Sequence, residues 1–252
     1  MKFHCIGDSH VSFFSGYNQL LPLYPSKGKG KYSDFVGYRI GAVLAYSLVK
    51  ENSSQRGREK IFELLGSFEK DEIIIFLFGE IDIRCHLLKQ TNNSTKNLSN
   101  VIDECVNRYV EFLIQIRELG YSVIVMAPVP TSNNYDPEYP YFGNMIERNN
   151  CTNLFNEDLK NKSKIFNIPY FCINQFLIKK NLYTRSEFFF DALHLSTLTI
   201  PLVKLQLYKI GFYKKGILNY NIILFDVYIS LIISKLKKIN RIIRKRIKLT
   251  ND

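Results

Sequence analysis

Four short, largely apolar runs recur along the chain, and each is too short to form a typical helix. They lie at Phe3–Ile6, Ile73–Phe78, Tyr121–Met126 and Ile168–Ile173. Apolar runs of this length are typical of strands that are buried on both faces of a parallel sheet. The segments between them are mostly helical in character, and this alternation predicts a doubly wound, mostly parallel α/β sheet. A fifth strand is expected somewhere within residues 31–55.

Five segments are predicted as helices, at residues 36–50, 56–68, 99–119, 144–167 and 196–211. Ser99 has the residue type of an N-cap for the third of them, and Gly120 follows its end. The first rests on helical spacing alone, through Val36, Ile40, Val43, Leu44 and Leu48.

The last part of the chain has a different pattern, so we divide the chain into a domain over residues 1–212 and an extension over 213–252. From Tyr228 onward, apolar residues fall on one helical face and Lys and Arg fall elsewhere. Such a basic amphipathic helix suits an anionic membrane surface. Packing on the domain or a partner, and a solvated end, are the alternatives. The apolar positions are Tyr228, Ile232, Leu236, Ile239, Ile243 and Ile247.

The net charge of the 252-residue chain is +11. Eight Lys and Arg against two Asp give residues 217–252 a net charge of +6, so the basic character belongs largely to the extension. We therefore predict no specific nucleic-acid partner. Five scattered cysteines with no C-x-x-C pair indicate a reducing compartment. The absence of a charged-then-apolar leader adds the expectation of a cytoplasmic protein, peripheral at the inner face of the membrane.

Candidate chemistry begins directly after the first strand, at Gly7-Asp8-Ser9-His10. Glycine permits a sharp turn there, which would present the Ser9 hydroxyl at the carboxyl end of the strand. A serine becomes a nucleophile only beside a base that a third group orients. Asp191 and His194 form such a pair late in the chain, because their three-residue offset lets both side chains leave one tight turn on the same side. An ordinary turn at Ser9 is the alternative.

A second polar stretch, Gly79 to His86, follows the predicted central strand at its carboxyl end. Asp82 is expected to act as a structural carboxylate that caps the next segment or holds Arg84. A metal site would have the right residue types but lacks an i,i+4 histidine pair, so we predict neither a metal nor another cofactor. The residues considered for a metal are His10, Glu80, Asp82, His86 and His194.

These blocks resemble the SGNH (GDSL-type) hydrolase superfamily of esterases, lipases and carbohydrate acyl-ester enzymes. Gly7-Asp8-Ser9 corresponds to the first block and Asp191-x-x-His194 to the last. Gly79 to Asp82 stands where the family has G-x-N-D, but Ile81 replaces the oxyanion-binding Asn. The stretch is more similar to a branch with a Gly-Glu-Ile-Asp-x-Arg signature, found among proteins of surface-glycan assembly. The resemblance implies a flavodoxin-like three-layer α/β/α fold over about residues 1–212.

The resemblance also assigns roles. Ser9, His194 and Asp191 would form a catalytic triad. The oxyanion would be held by the backbone N–H groups of Ser9 and Gly37, with Gly41 as the second candidate glycine, and by Arg84 in place of the missing amide. Arg84 can equally bind an anionic group of the substrate. The predicted substrate-binding residues are Asp8, His10, Asp82, Arg84 and His86.

The function expected from the resemblance is that of an acyl-ester hydrolase or O-acyltransferase. Its substrate would be an O-acyl (acetyl) group on a glycan or glycolipid, and tyrosines in the loop from Thr131 to Gly143 suit sugar stacking. The alternative, motivated by Ile81, is a non-catalytic glycan-binding or scaffold protein of surface-polysaccharide assembly on the same fold.

Overall fold

The chain folds around a five-stranded, all-parallel sheet with the strand order β2-β1-β3-β4-β5. The structure, a computed structural model, describes residues 2–132, 138–213 and 217–251. This strand order is that of flavodoxin-like doubly wound folds, and it confirms the predicted fold class. The strands are β1 (Phe3–Gly7), β2 (Phe35–Arg39), β3 (Ile73–Leu77), β4 (Ser122–Met126) and β5 (Tyr170–Phe171).

Both faces of the sheet are covered, which explains why the central strands are apolar without alternation. Successive residues of a strand point to opposite faces. Ile74 and Phe76 of β3 belong to one buried cluster, whereas Ile75 and Leu77 belong to another. The sheet is therefore the middle of three layers.

The helices that cover the sheet lie close to the predicted positions. Asn97, not Ser99, caps α3, since its side chain accepts a hydrogen bond from the backbone N–H of Asn100. The α-helices are α1 (Gly57–Leu65), α2 (Leu88–Asn92), α3 (Leu98–Glu118), α4 (Met145–Ile165), α5 (Asn174–Leu177), α6 (Ile200–Lys209) and α7 (Ile217–Asn251). Short 3₁₀ helices span Ser9–Ser15, Ala45–Ser47, Ser186–Phe188 and Thr197–Thr199, and a π-helical turn spans Asp82–Leu87.

The helix predicted over residues 36–50 is wrong. This segment supplies the missing strand, because β2 pairs in parallel with β1 from Phe3 opposite Phe35 to Gly7 opposite Arg39. The backbone φ of Gly41 is +123°, which no helical residue adopts. The apolar spacing fitted a helix by coincidence, and pairing with β1 overrode that local pattern.

The long helix α7 packs on the domain along its first half. Ile223 and Val227 are buried in the core cluster that also holds residues of α6. The first half of the predicted extension thus packs on the domain. The apolar face predicted from Tyr228 to Ile243 is exposed, and Ile247 lies outside the described side chains. No helix in the described part of the chain combines the length and apolar content needed to cross a bilayer.

Candidate active site

Ser9 stands at the carboxyl end of β1, at the start of a 3₁₀ helix. Asp8 caps that helix, since its carboxylate accepts a hydrogen bond of 2.9 Å from the backbone N–H of His10. The turn requires glycine at position 7, because a Cβ there would lie 2.2 Å from the carbonyl oxygen of Leu77 and 2.6 Å from Cγ1 of Val11. Because β1 and β3 approach each other closely at this point, only glycine fits there. The chain turns directly after it and places Ser9 at the carboxyl end of β1.

Asp191 and His194 occupy one tight turn between Phe189 and Leu195, which form an antiparallel bridge. The Asp191 carboxylate accepts hydrogen bonds from the backbone N–H groups of Leu193 (2.8 Å) and His194 (2.6 Å). Its other oxygen lies 2.7 Å from Nδ1 of His194. The three-residue offset thus places both side chains on the same side of the turn, as the sequence predicted.

The structure brings Ser9 to this pair across 185 residues of sequence: Nε2 of His194 lies 2.8 Å from the Ser9 hydroxyl. Burial lowers the pKa of His194 below its usual value, although the hydrogen bond with Asp191 opposes this. A neutral imidazole at neutral pH can accept a proton from a hydroxyl. The hydrogen bonds from His194 and the backbone lower the pKa of Asp191 against the effect of its partial burial, so it stays ionised.

A second carboxylate–histidine pair lies behind the first. Nε2 of His10 is 3.5 Å from Glu80, an ion-pair distance, and its ring centroid is 5.3 Å from that of His194. Glu80 also accepts a 2.7 Å hydrogen bond from Nε of Arg84. Burial alone would raise the pKa of Glu80, but the charge of Arg84 and the contact with His10 lower it to about 2. Burial alone would lower the pKa of His10, but Glu80 and Asp8 raise it.

Three of the predicted substrate-binding residues are buried and do not line the pocket in front of Ser9. They are Asp8, His10 and Asp82. Asp82 is a structural carboxylate, as expected, but it holds neither Arg84 nor the segment after it. It accepts hydrogen bonds from the backbone N–H groups of Ala45 (2.8 Å) and Tyr46 (3.2 Å), the start of an earlier 3₁₀ helix. Burial raises the pKa of Asp8 to about 6.

The pocket in front of Ser9 and His194 has a volume of about 820 Å³. The predicted residues Arg84 and His86 line it, and Ile81 lies in its wall. The described part of the loop from Thr131 to Gly143 contributes aromatic rings, Tyr139 and Tyr141. Residues 133–137 of that loop lie outside the described part of the chain.

Gly37 was predicted at the start of a helix, but it lies inside β2 opposite Cys5 and does not line the pocket. Gly41, two residues beyond the end of β2, lines the pocket together with Ser9. The correction follows from the strand at 35–39, which moves Gly37 into the sheet and places Gly41 at its carboxyl edge.

Three cationic residues near the site were missed from the sequence. Arg39 and Lys89 line the pocket, and Arg148 lines a small crevice that shares Arg84 with it. The polar pattern of α4 gave no signal for Arg148, because charged residues are common on helix surfaces. Among the described residues, no cluster of three or more His, Cys, Asp or Glu side chains is arranged to hold a metal ion.

No protein-family model matches this chain, and no curated protein does. Solved structures of low sequence identity share its fold. A GDSL-like lipase from Bacteroides thetaiotaomicron is 13% identical, with a TM-score of 0.51, over 82% of this chain and 86% of that one. A point mutant of Axe2, an acetyl-xylooligosaccharide esterase from Geobacillus stearothermophilus, is 16% identical, with a TM-score of 0.52, over 85% of this chain and 97% of that one.

A structure described as an acylhydrolase, from Bacteroides fragilis, is 15% identical, with a TM-score of 0.50, over 82% of this chain and 85% of that one. These neighbours share the flavodoxin-like fold of SGNH hydrolases with this chain. At such identities the likeness concerns the fold, and the Gly-Glu-Ile-Asp-x-Arg variant of the third block is not part of what it shows.

Proposed function

We propose that this protein is a serine-dependent esterase that acts on acetyl or other small acyl groups of a glycan or glycolipid. One observation carries the proposal: Asp191, His194 and Ser9 form a continuous hydrogen-bonded chain that ends in a pocket. This order of acid, base and hydroxyl is the arrangement that activates a serine for acyl transfer.

In the proposed reaction the Ser9 oxygen attacks the ester carbonyl while His194 Nε2 takes the hydroxyl proton. Asp191 holds Nδ1–H of His194 and stabilises the imidazolium that forms. The tetrahedral intermediate then expels the sugar alkoxide, which takes the proton back from His194. Water, deprotonated by the same histidine, attacks the acyl-enzyme and releases the acid and free Ser9.

The oxyanion requires donors on the pocket side of Ser9. We assign this role to the backbone N–H groups of Ser9 and Gly41 and to the guanidinium of Arg84. Arg84 donates through Nε to Glu80 and through Nη1 to the carbonyl oxygen of Pro140. Its Nη2 donates no hydrogen bond to any described residue, and the side chain lines the pocket, so Nη2 is available to a ligand.

The glycan part of the proposal draws on two supports. Axe2 is named as an acetyl-xylooligosaccharide esterase, and the other two neighbours are named as a lipase and an acylhydrolase. Tyr139 and Tyr141 line the pocket, and aromatic side chains of this kind suit contact with a sugar. Transfer of the acyl group to a second hydroxyl uses the same steps, with an alcohol in place of water.

A non-catalytic glycan-binding protein is the second candidate, and Ile81 favours it. Its side chain cannot donate a hydrogen bond, and it lies in the pocket wall. Loss of one oxyanion donor typically costs about 10²–10³-fold in rate.

The two candidates are separated by reacting the purified chain with a fluorophosphonate probe and measuring the intact mass. An activated serine gives a single adduct, and Ser9→Ala removes it. Ser12→Ala is the matched control, since Ser12 is a buried serine of the same 3₁₀ helix whose hydroxyl accepts from the backbone N–H of Leu21. A folded protein that forms no adduct would overturn the esterase proposal in favour of the binding protein.

A further inference from the structure

The crevice beside the catalytic pocket contains a buried arginine that has no carboxylate partner in the part of the chain that the structure describes. Arg148, on α4, is 5% exposed. Its Nε donates to the Thr131 hydroxyl, its Nη1 donates to the Gly143 carbonyl, and its guanidinium lies 4.2 Å from the ring centroid of Tyr141. Within the described residues, no Asp or Glu comes within ion-pair distance of it. Arginines are seldom buried this deeply without a counter-ion.

Arg148 is close to a second arginine. Both Arg148 and Arg84 line the crevice, together with the hydroxyl-bearing Thr131 and with Leu193, the neighbour of His194. Arg84 is neutralised by Glu80, so the described residues that line the crevice leave one positive charge uncompensated. The crevice has a volume of about 10 Å³, which is room for about one oxygen atom or water molecule.

The larger pocket has the same sign of charge and shares Arg84, Tyr139 and Leu193 with the crevice. Among the described residues that line it, Arg39 and Lys89 are basic and Glu138 is the one acidic residue. Arg39 donates through Nη1 to the Leu21 carbonyl and has no carboxylate within ion-pair distance among the described side chains. A ligand in this pocket therefore meets an excess of fixed positive charge next to Ser9.

From this geometry we infer that the site recognises an anionic group, a carboxylate or a phosphate, which reaches from the pocket into the crevice between Arg84 and Arg148. The inference deepens the proposed esterase function. The binding of the anion does not depend on that function, but the identity of the ligand as an acylated substrate does. The substrate class is then an O-acylated acidic glycan, bearing uronic acid or phosphate groups. Arginine suits both anions because its guanidinium stays charged and makes strong, charge-assisted hydrogen bonds to carboxylate and phosphate oxygens.

Calorimetric titration of the wild-type chain with D-glucuronate, inorganic phosphate and D-glucose tests the inference without turnover. Glucuronate or phosphate is expected to bind. Glucose, the neutral analogue of glucuronate, is expected to bind at least tenfold more weakly. Arg148→Gln should weaken the anion at least tenfold, the loss of about one charge-assisted hydrogen bond. Arg58→Gln is the matched control, since Arg58 also lies over an aromatic ring, that of Phe62, and donates to a neutral group, the side chain of Gln115, but outside the pocket.

If Arg148 had a purely structural role, Arg148→Gln would have a lower melting temperature but the same preference for glucuronate over glucose. Arg148→Lys keeps the charge and should retain part of that preference. It replaces Arg148→Gln as the test variant if Arg148→Gln fails to fold. Binding of phosphate without glucuronate would assign a phosphorylated sugar, and the reverse a uronic acid. Equal binding of glucuronate, phosphate and glucose by the wild type, or unchanged anion affinity in Arg148→Gln, would overturn the inference.

Activity supplies a second readout. The ratio of kcat/KM on an acetylated uronate oligosaccharide to that on neutral acetyl-xylooligosaccharides should exceed one and fall in Arg148→Gln. A chain that binds the anion but forms no fluorophosphonate adduct would sink the esterase proposal alone. An active esterase that does not distinguish anionic from neutral ligands would sink the anion site alone.

A different observation, on the outer face of α7, carries a second inference. This face consists of residues spaced alternately by three and four, and its rings and methyl groups face solvent: Phe225 is 63% and Leu236 is 55% exposed. The stripe runs for about 32 Å along the helix. The outer face consists of Ile222, Phe225, Ile229, Ile232, Leu236, Ile239 and Ile243.

The domain cannot cover this face, because it already holds the other side of the helix through Ile223, Val227 and Ser234. Tyr228 and Ile233 flank the stripe and are exposed too, so the apolar arc is wider than a two-stranded coiled-coil seam. Residues 217–252 carry a net charge of +6, which a second copy would double and an anionic bilayer would neutralise. We infer that the outer face of α7 docks on an anionic lipid surface.

Sedimentation of the full chain with phosphatidylserine-containing vesicles, against phosphatidylcholine vesicles alone, tests this second inference. Binding should need the anionic lipid, weaken with salt, and fall at least tenfold in Phe225→Ser/Leu236→Ser. Ile165→Ser, an exposed apolar residue at the end of α4, is the matched control. No binding, or unchanged binding in the double variant, would overturn it. A dimer that the double variant dissociates, without vesicle binding, would assign the face to a second copy.

Discussion

Two carboxylate–histidine pairs lie side by side at the carboxyl edge of the sheet, and only one of them reaches a hydroxyl. Asp191 and His194 share a 2.7 Å hydrogen bond beside Ser9. Glu80 and His10 lie 3.5 Å apart in the protein interior, where Arg84 donates a 2.7 Å hydrogen bond to Glu80. The residue types match, yet the pKa of His194 is lowered and that of His10 is raised.

The difference between the pairs comes from their third partners. His194 has its second ring nitrogen against Ser9, so its proton can move to and from a reacting group. His10 lies between Glu80 and Asp8, two carboxylates that favour its charged form. That charge in turn lowers the pKa of His194. A buried pair can therefore influence the protonation of a neighbouring pair that faces the pocket, without touching substrate.

The largest effect is expected where the first pair is broken. Asp191→Asn should lower kcat on an aryl acetate by about 10⁴-fold, because an amide does not hold the tautomer of His194 that accepts the Ser9 proton. Steady-state kinetics measure it. Glu80→Gln, the equivalent change in the second pair, is expected to cost far less. Equal losses would show that the two pairs act as one catalytic unit.

Removing Arg84, the ion-pair partner of Glu80, should cost stability. Arg84→Gln leaves Glu80 as a buried charge without its main partner, and such a loss typically costs about 3–5 kcal/mol of unfolding free energy. Urea denaturation measures the change. The double variant Glu80→Gln/Arg84→Gln removes both charges and should recover most of the loss. A double variant as unstable as Arg84→Gln alone would mean that shape, and not charge, explains the effect.

Asp8 gives the second pair a pH signature. The pKa of Asp8 is raised to about 6 from an ordinary 3.8, because it is buried. The folded state therefore binds more protons between these values, and stability falls as pH rises from about 4 to about 6. Asp8→Asn removes that loss. The unfolding free energy of the variant minus that of the wild type should therefore be about 1–3 kcal/mol larger at pH 8 than at pH 3.5. Chemical denaturation at both pH values measures it, and an equal difference at both would contradict the assignment.

The smallest effect expected is a shift in the pH profile. His10→Asn removes the positive charge that helps burial to lower the pKa of His194, so the acid limb of kcat/KM should move to higher pH. His4→Asn is the control, since His4 pairs with Glu72 and Tyr38 and lies at the start of β1, away from the pocket. An unmoved limb in His10→Asn would mean that the two pairs titrate independently.

The sequence by itself determined the layered fold and the three residues of the hydrogen-bonded chain. Strands that are buried on both faces of a parallel sheet are largely apolar, so β1, β3 and β4 were visible as runs. Ser9 followed one of these runs directly, and Asp191 and His194 shared one turn. Such features depend on neighbours in sequence, and local chemistry is enough to read them. The edge strand β2 was misread, because its apolar spacing also fits a helix and the pairing with β1 decides its conformation.

Only the tertiary structure decided which polar residues reach the pocket. Asp8, His10 and Asp82 stand in polar blocks next to the site but are buried, each with a polar partner from its own or another segment. Arg148, from the middle of a polar helix, joins Arg84 across 64 residues of sequence. The physical reason is that burial and charge pairing are set by distance in space, and the packing of the layers brings together groups that the chain keeps far apart.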